Sequence, residues 1–174
     1  PPAAPAEAEA GYREGRWGSR EIEIRSVKLL DAHGRERHVF VPGEPLTIAL
    51  AVHAAAAVDD FVFGIGLFTA DGVNVYGTNT HLEDFVPVRI EGDAQVRIEL
   101  QELLLVEGTY LLDVAAHRRD GTPFDYHRGL YSFRVKSRIK DVGVYRPAHE
   151  WRFAGGVAIA PPSPRAELDL SEDS

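Results

Sequence analysis

The sequence contains no cysteine, which excludes a disulfide scaffold, a thiolate metal site and a cysteine nucleophile together. No apolar run approaches the ~18 residues of a membrane-spanning helix, and no basic-then-apolar leader opens the chain. With neither disulfides nor an export signal, a cytoplasmic location is expected. Serine is scarce, and none of the seven stands in a G-x-S-x-G elbow, so an esterase triad lacks its nucleophile. A G-x-x-x-x-G-K-[ST] phosphate loop is also missing, so ATP is not bound by that route. Positive charge is in deficit. The net charge is −8, of which the first ten residues contribute −2 and the last fourteen −3, leaving −3 over the middle. The arginines are scattered rather than clustered, and a phosphate backbone needs a basic surface, so nucleic acid is not an expected partner.

What is present is an ordinary globular composition, 44% hydrophobic and 26% charged, which sets wholesale disorder aside and suits one domain. Its period is two. Leu46, Ile48, Leu50 and Val52 alternate with Thr47, Ala49, Ala51 and His53. The same alternation runs through 61–68, 96–101 and 110–117, with shorter candidates at 21–30, 37–41, 73–77, 124–127 and 130–136. Successive strand side chains face opposite sides, so each run buries one face. Turn signals separate the runs: Asp31-Ala32-His33-Gly34, Pro42-Gly43, Asp71-Gly72, Glu91-Gly92-Asp93, Glu107-Gly108 and Asp120-Gly121. Apart from possible single turns at 81–86 or 101–105, no helix is expected. Eight or nine strands with closely spaced turns predict an all-β antiparallel sandwich.

The small residues Ala49, Ala51, Gly64, Gly66 and Ala115 lie opposite bulky neighbours on their strands. Were those strands adjacent, their outer face would be a shallow floor walled by His53, Phe68, Asp113, His117 and Arg119. A low floor with aromatic and hydrogen-bonding walls suits a sugar ring. The same small residues would equally admit another layer of protein. In Val73–His81, Tyr76, Asn79 and the neighbouring hydroxyls could meet a hydroxylated ligand or close Asx and Ser/Thr turns against their own backbone. The seven His fall in separate segments with no metal-ligand spacing, so neither a metal nor another cofactor is expected. Carboxylate pairs such as Glu83/Asp84 or Asp113/Asp125 could serve a glycosidase only at the right separation; solvated charges explain them more simply. Catalysis is not expected. Trp17 stands before the first strand. His149, Trp151 and Phe153 follow a break at Gly143–Pro147, where a terminal strand could fold back on its own sheet or reach a partner's.

The order Gly15-Arg16-Trp17-Gly18, Phe40-Val41-Pro42-Gly43-Glu44-Pro45-Leu46, Phe63-Gly64-Ile65, Asp71-Gly72-Val73-Asn74-Val75-Tyr76-Gly77-Thr78-Asn79-Thr80, Glu107-Gly108-Thr109-Tyr110, Phe133-Arg134-Val135 and His149-Glu150-Trp151 resembles the C-terminal carbohydrate-binding domain of Wzt-type polysaccharide ABC transporter subunits, over about residues 14–154. The resemblance implies an immunoglobulin-like or jelly-roll β-sandwich that binds a lipid-linked O-antigen polysaccharide at the cytoplasmic face of the inner membrane. It also implies an upstream ATPase domain coupled to a transmembrane permease, and a homodimer formed by exchange of the last strand. On that basis residues 1–13 are expected to be a flexible linker from the ATPase, 14–154 the glycan-binding sandwich, and 155–174 a disordered acidic tail. The expected sugar contacts are His53, Phe68, Tyr76, Asn79, His117 and Arg119; the expected dimer contacts are His149, Trp151 and Phe153. The alternative is a structural dimerisation module that binds no sugar.

Overall fold

Nine strands run through residues 15–172, the residues that the computed structural model describes. They are β1 (Gly15–Trp17), β2 (Ile22–Leu30), β3 (Val39–Phe40), β4 (Leu46–Val58), β5 (Val62–Thr69), β6 (Asn74–Asn79), β7 (Ile90–Leu100), β8 (Gly108–His117) and β9 (Pro123–Val135). The linker expected over residues 1–13 lies outside the described residues. Among the described residues there is no helix. At 81–86 the Asn79 carboxamide oxygen captures the Leu82 N–H at 2.7 Å and Asp84 turns to a φ of 63°, which holds the segment in tight turns.

One sheet has six strands in the order β1-β9-β8-β5-β6, with β3 alongside β9; the other has three, β2-β4-β7. Pairing is antiparallel throughout except for the short parallel contact of β3 with β9. The two sheets make an all-β sandwich, and the alternation read from the sequence decides what lies between them. Ile48, Leu50 and Val52 of β4 face Phe63, Ile65 and Leu67 of β5 and Leu112 and Val114 of β8 across one core. Phe133 anchors its closed end, edge-on to Phe40 at 6.0 Å and stacked with Tyr110 at 5.6 Å. Burial of each such aromatic contributes roughly 1.5–3 kcal/mol. The Tyr110 hydroxyl donates to the Val106 carbonyl at 2.7 Å, so the ring enters the core without orphaning its polar end.

Two features of the turn reading are corrected. Glu91-Gly92-Asp93 is not a turn: it lies within β7, where Gly92 at φ 73° pairs with Ala54 beside a register shift in β4. Residues 124–127 and 130–136 are not separate strands. They are one strand, β9, bent at Gly129 (φ 66°), which inserts extra residues opposite Asp113; a bulge of this kind bends a strand without ending it. The hairpin glycines Gly72 and Gly121 do hold the left-handed conformation that their turns require.

The opposite edge of the sandwich is open. Between β6 and β7, the outermost strands of the two sheets, apolar clefts of about 280 and 660 Å³ reach into the core. Residues 155–172 form no strand; Lys136 Nζ donates to the carbonyls of Asp169 and Ser171, and Arg165 to that of Arg138.

Candidate functional site

The outer face of the six-stranded sheet carries a shallow depression of about 240 Å³. Its floor comes from paired small residues: Gly64 opposite Ala115 and Gly66 opposite Asp113 on β5 and β8, with Gly77 of β6 opposite Gly66. Phe68, Asn74, Asn79, His117 and Tyr126 surround that floor, and Leu82 adds to its rim. The glycines are used. A Cβ on Gly66 would stand 3.0 Å from Phe68 Cε2, and one on Gly64 would stand 3.1 Å from Asn79 Cβ. The edge of the Phe68 ring therefore reaches back over Gly66, and the ring adds apolar surface to the depression.

Polar groups are oriented around it. His117 Nδ1 lies 2.6 Å from the Arg118 carbonyl; a carbonyl only accepts, so Nδ1 is the donor in this contact. Asp113 is buried and accepts the Gly129 N–H at 2.8 Å. It also hydrogen-bonds the Tyr126 phenol, whose pKa is pushed up by burial first and by the Asp113 carboxylate next. At neutral pH Tyr126 therefore keeps its proton. Its ring is stacked on Trp17 of β1 at 4.6 Å and 11°, so the aromatic wall continues from β9 to the edge of the sheet.

Of the six residues expected to gather, the fold brings together Phe68, Asn79 and His117. The adjacency of β5 and β8 that the floor required is present; that of β4 is not. His53, Ala49 and Ala51 lie on the other sheet, where His53 Nδ1 is 2.6 Å from Asp93 Oδ1 across the β4–β7 pair. Tyr76 pairs with Leu67 on the inward side of β6 and lines the open seam. Arg119 is bound to Asp60, its Nε 3.1 Å from Oδ1, outside the depression. Asn79 spends its carboxamide oxygen on the Leu82 turn, so what its side chain can still offer is the amide donors. Trp151 and Phe153 are exposed and stacked on each other, 6.4 Å apart at 2°; His149 is exposed beside them. Tyr126 was not expected at the site, and Asn74 entered only as part of the Val73–His81 stretch. Strict alternation would have put Tyr126 on the same face as the buried Phe124; the irregularity of β9 opposite Ala116 and His117 turns it outward.

The two carboxylates considered as a catalytic pair are on opposite sides of the sheet. Asp125 faces inward, fully buried, where it takes a bidentate grip from Arg16 (Nε 2.9 Å, Nη2 2.8 Å), the Ile24 N–H at 2.8 Å, His127 Nε2 at 3.1 Å and a further contact from Arg20. Burial alone would raise its pKa, but the Arg16 and Ile24 hydrogen bonds outweigh that and hold it below the usual carboxylate value. Glu83 and Asp84 are exposed on the loop after β6. Among the described residues, no group of three potential metal ligands gathers.

Comparison with known proteins follows the same lines. The family model described as the Wzt C-terminal domain matches residues 13–147. The O-antigen export system ATP-binding protein RfbB of Myxococcus xanthus is 32% identical over 154 residues, covering 84% of this chain and 34% of that protein. The chain thus spans about a third of the length of this curated relative. A crystal structure of the C-terminal domain of Wzt is similar with a TM-score of 0.71 at 22% identity, over 85% of this chain and 94% of the other; at that identity the likeness bears on the fold.

Proposed function

The chain belongs to the Wzt C-terminal domain family, and from this premise we propose that it is a non-catalytic module that recognises an O-antigen-type polysaccharide for export by an ABC transporter. The polysaccharide lies on the outer face of the six-stranded sheet, with Phe68, Asn79, His117, Asn74 and Tyr126 as contacts. The observation that carries this reading is the edge of the Phe68 ring reaching over Gly66, beside a depression lined by amide, imidazole and phenol groups. A sugar ring offers both a C–H face and hydroxyls, and needs both kinds of partner. The separation of Asp113 from Asp125, each with its own internal donors, favours binding over hydrolysis. The shortness of the chain relative to the Myxococcus protein, itself named for O-antigen export and ATP binding, suits a domain joined to an ATPase and, through it, to a permease at the inner membrane. Calorimetric titration of O-polysaccharide released from the source organism's lipopolysaccharide tests this. Phe68→Ala weakens binding about tenfold, and binding unchanged by that substitution refutes the face.

A second reading, a dimerisation module that binds no sugar, is favoured by the exposed Trp151–Phe153 pair and by the open seam between β6 and β7. The two roles are compatible. We propose that His149, Trp151 and Phe153 pack against a second copy, and that two linked sites raise the avidity for a polymer that repeats.

A further inference from the structure

Segment 15–20 is fastened to the sheet far more firmly than a three-residue edge strand requires. Its pairs are Gly15↔Arg128, Arg16↔His127 and Trp17↔Tyr126. Below the sheet, Arg16 and Arg20 both reach the buried Asp125 carboxylate. After the strand, Gly18 sits at φ 133°, so close to β9 that a Cβ would be 2.3 Å from the Phe124 carbonyl oxygen. The Ser19 and Arg20 N–H groups then donate to the Pro123 and Phe124 carbonyls at 3.3 and 2.7 Å. Above the sheet, Trp17 lies flat on Tyr126. Tyr126 is thus shared: one neighbour is the depression, where it meets Asp113, and the other is β1.

The geometry points to β1 as a clasp on the ligand face: Trp17 holds the Tyr126 ring as a wall for the bound glycan, and the glycan in turn holds β1 on the sheet. This rests on the glycan reading of the depression and adds its regulation. The two events share one side chain, so by linkage whatever strengthens one strengthens the other by the same factor. A docked and an undocked β1 are the two states whose balance the ligand shifts. The polypeptide entering at Gly15 would feel the occupancy of the face as a change in how firmly β1 is held. Trp17 is a positioning residue here, acting through Tyr126.

Hydrogen exchange of the full chain with and without the released O-polysaccharide, followed at the amides of residues 16–20, is the experiment. A ligand that merely binds the folded state slows exchange through global unfolding equally everywhere; the clasp requires residues 16–20 to gain several-fold more protection than the β2-β4-β7 sheet. In parallel, Trp17→Ala weakens binding about 3- to 10-fold, the range an aromatic pair supplies, and removes the excess protection, while Trp17→Phe restores most of both. If the polysaccharide binds but residues 16–20 gain no excess, or Trp17→Ala binds like wild type, the clasp is overturned and the glycan reading stands. If the wild-type chain does not bind the polysaccharide, the glycan reading itself fails and takes the clasp with it. Should Trp17→Ala not fold, the wild-type exchange pattern and Trp17→Phe still decide.

Discussion

Phe68 lies over Gly66 so closely that the carbon missing from the glycine would be 3.0 Å from the ring edge. The gap left by the glycine admits the ring edge, which a neighbouring side chain would push away. The obstacle is the far end of a side chain that can swing away, so Gly66→Ala should cost less than about 1 kcal/mol of stability. It should nevertheless weaken polysaccharide binding about 3- to 10-fold by displacing the platform. Paired denaturation and titration curves check the contrast; equal losses in both would make the glycine structural only.

Gly18 is the opposite case. Its missing Cβ would meet backbone, 2.3 Å from Phe124 O and 2.8 Å from Asp125 N, at a φ of 133°. Neither obstacle can rotate aside. Gly18→Ala should therefore destabilise the domain by about 3 kcal/mol in urea unfolding, combining backbone strain with overpacking.

Acid should weaken the fold through His127. Burial holds its imidazole below the ordinary value, against the opposing pull of Asp125, and the neutral ring accepts from the Tyr131 hydroxyl at 2.7 Å. The unfolded chain thus binds a proton where the folded one does not, so stability falls as pH drops below the unfolded value of about 6.5 towards the folded one. Asp125, whose folded pKa is lowered, adds a second loss at more acid pH. That loss begins as the unfolded carboxylate takes up its proton near the ordinary value of about 3.9 and is complete once the folded one protonates. Urea midpoints measured from neutral pH downward should show the first limb in wild type and a flatter one in His127→Gln.

Removal of residues 148–154 should convert a dimer to a monomer, read as a halving of solution mass by light scattering. A dimer surviving the deletion would refute the proposed role of Trp151 and Phe153 while leaving the sheet face untouched.

Much of the fold was legible because alternation is local. Leu46 to Val52 announce a strand with one buried face, and Asp71-Gly72 announces a hairpin, without knowledge of any neighbour. Irregularities within strands were harder. Gly92 and Gly129 both adopt positive φ, which in a sequence reads as a turn, yet each only bends a strand that continues. The site was half legible for a related reason: period two tells which residues share a face of their own strand, but not which strand lies beside it. Gly64, Gly66 and Ala115 did prove neighbours, whereas Ala51 and His53 have the same pattern on the opposite sheet. Tyr126 was not legible because period two puts it on the face of the buried Phe124, and the register shift of β9 opposite Ala116 and His117 reverses that. Asp125 and His127 point inward, and it is the tyrosine between them that reaches the outer face of the sheet.

Among the described residues, the depression on the six-stranded sheet has a floor and flanking groups but no roof. On the proposed glycan reading, a long polymer would settle on such a face sideways at any point along its length and lift off without threading an end through the protein, so grip and release would not interrupt lengthwise travel.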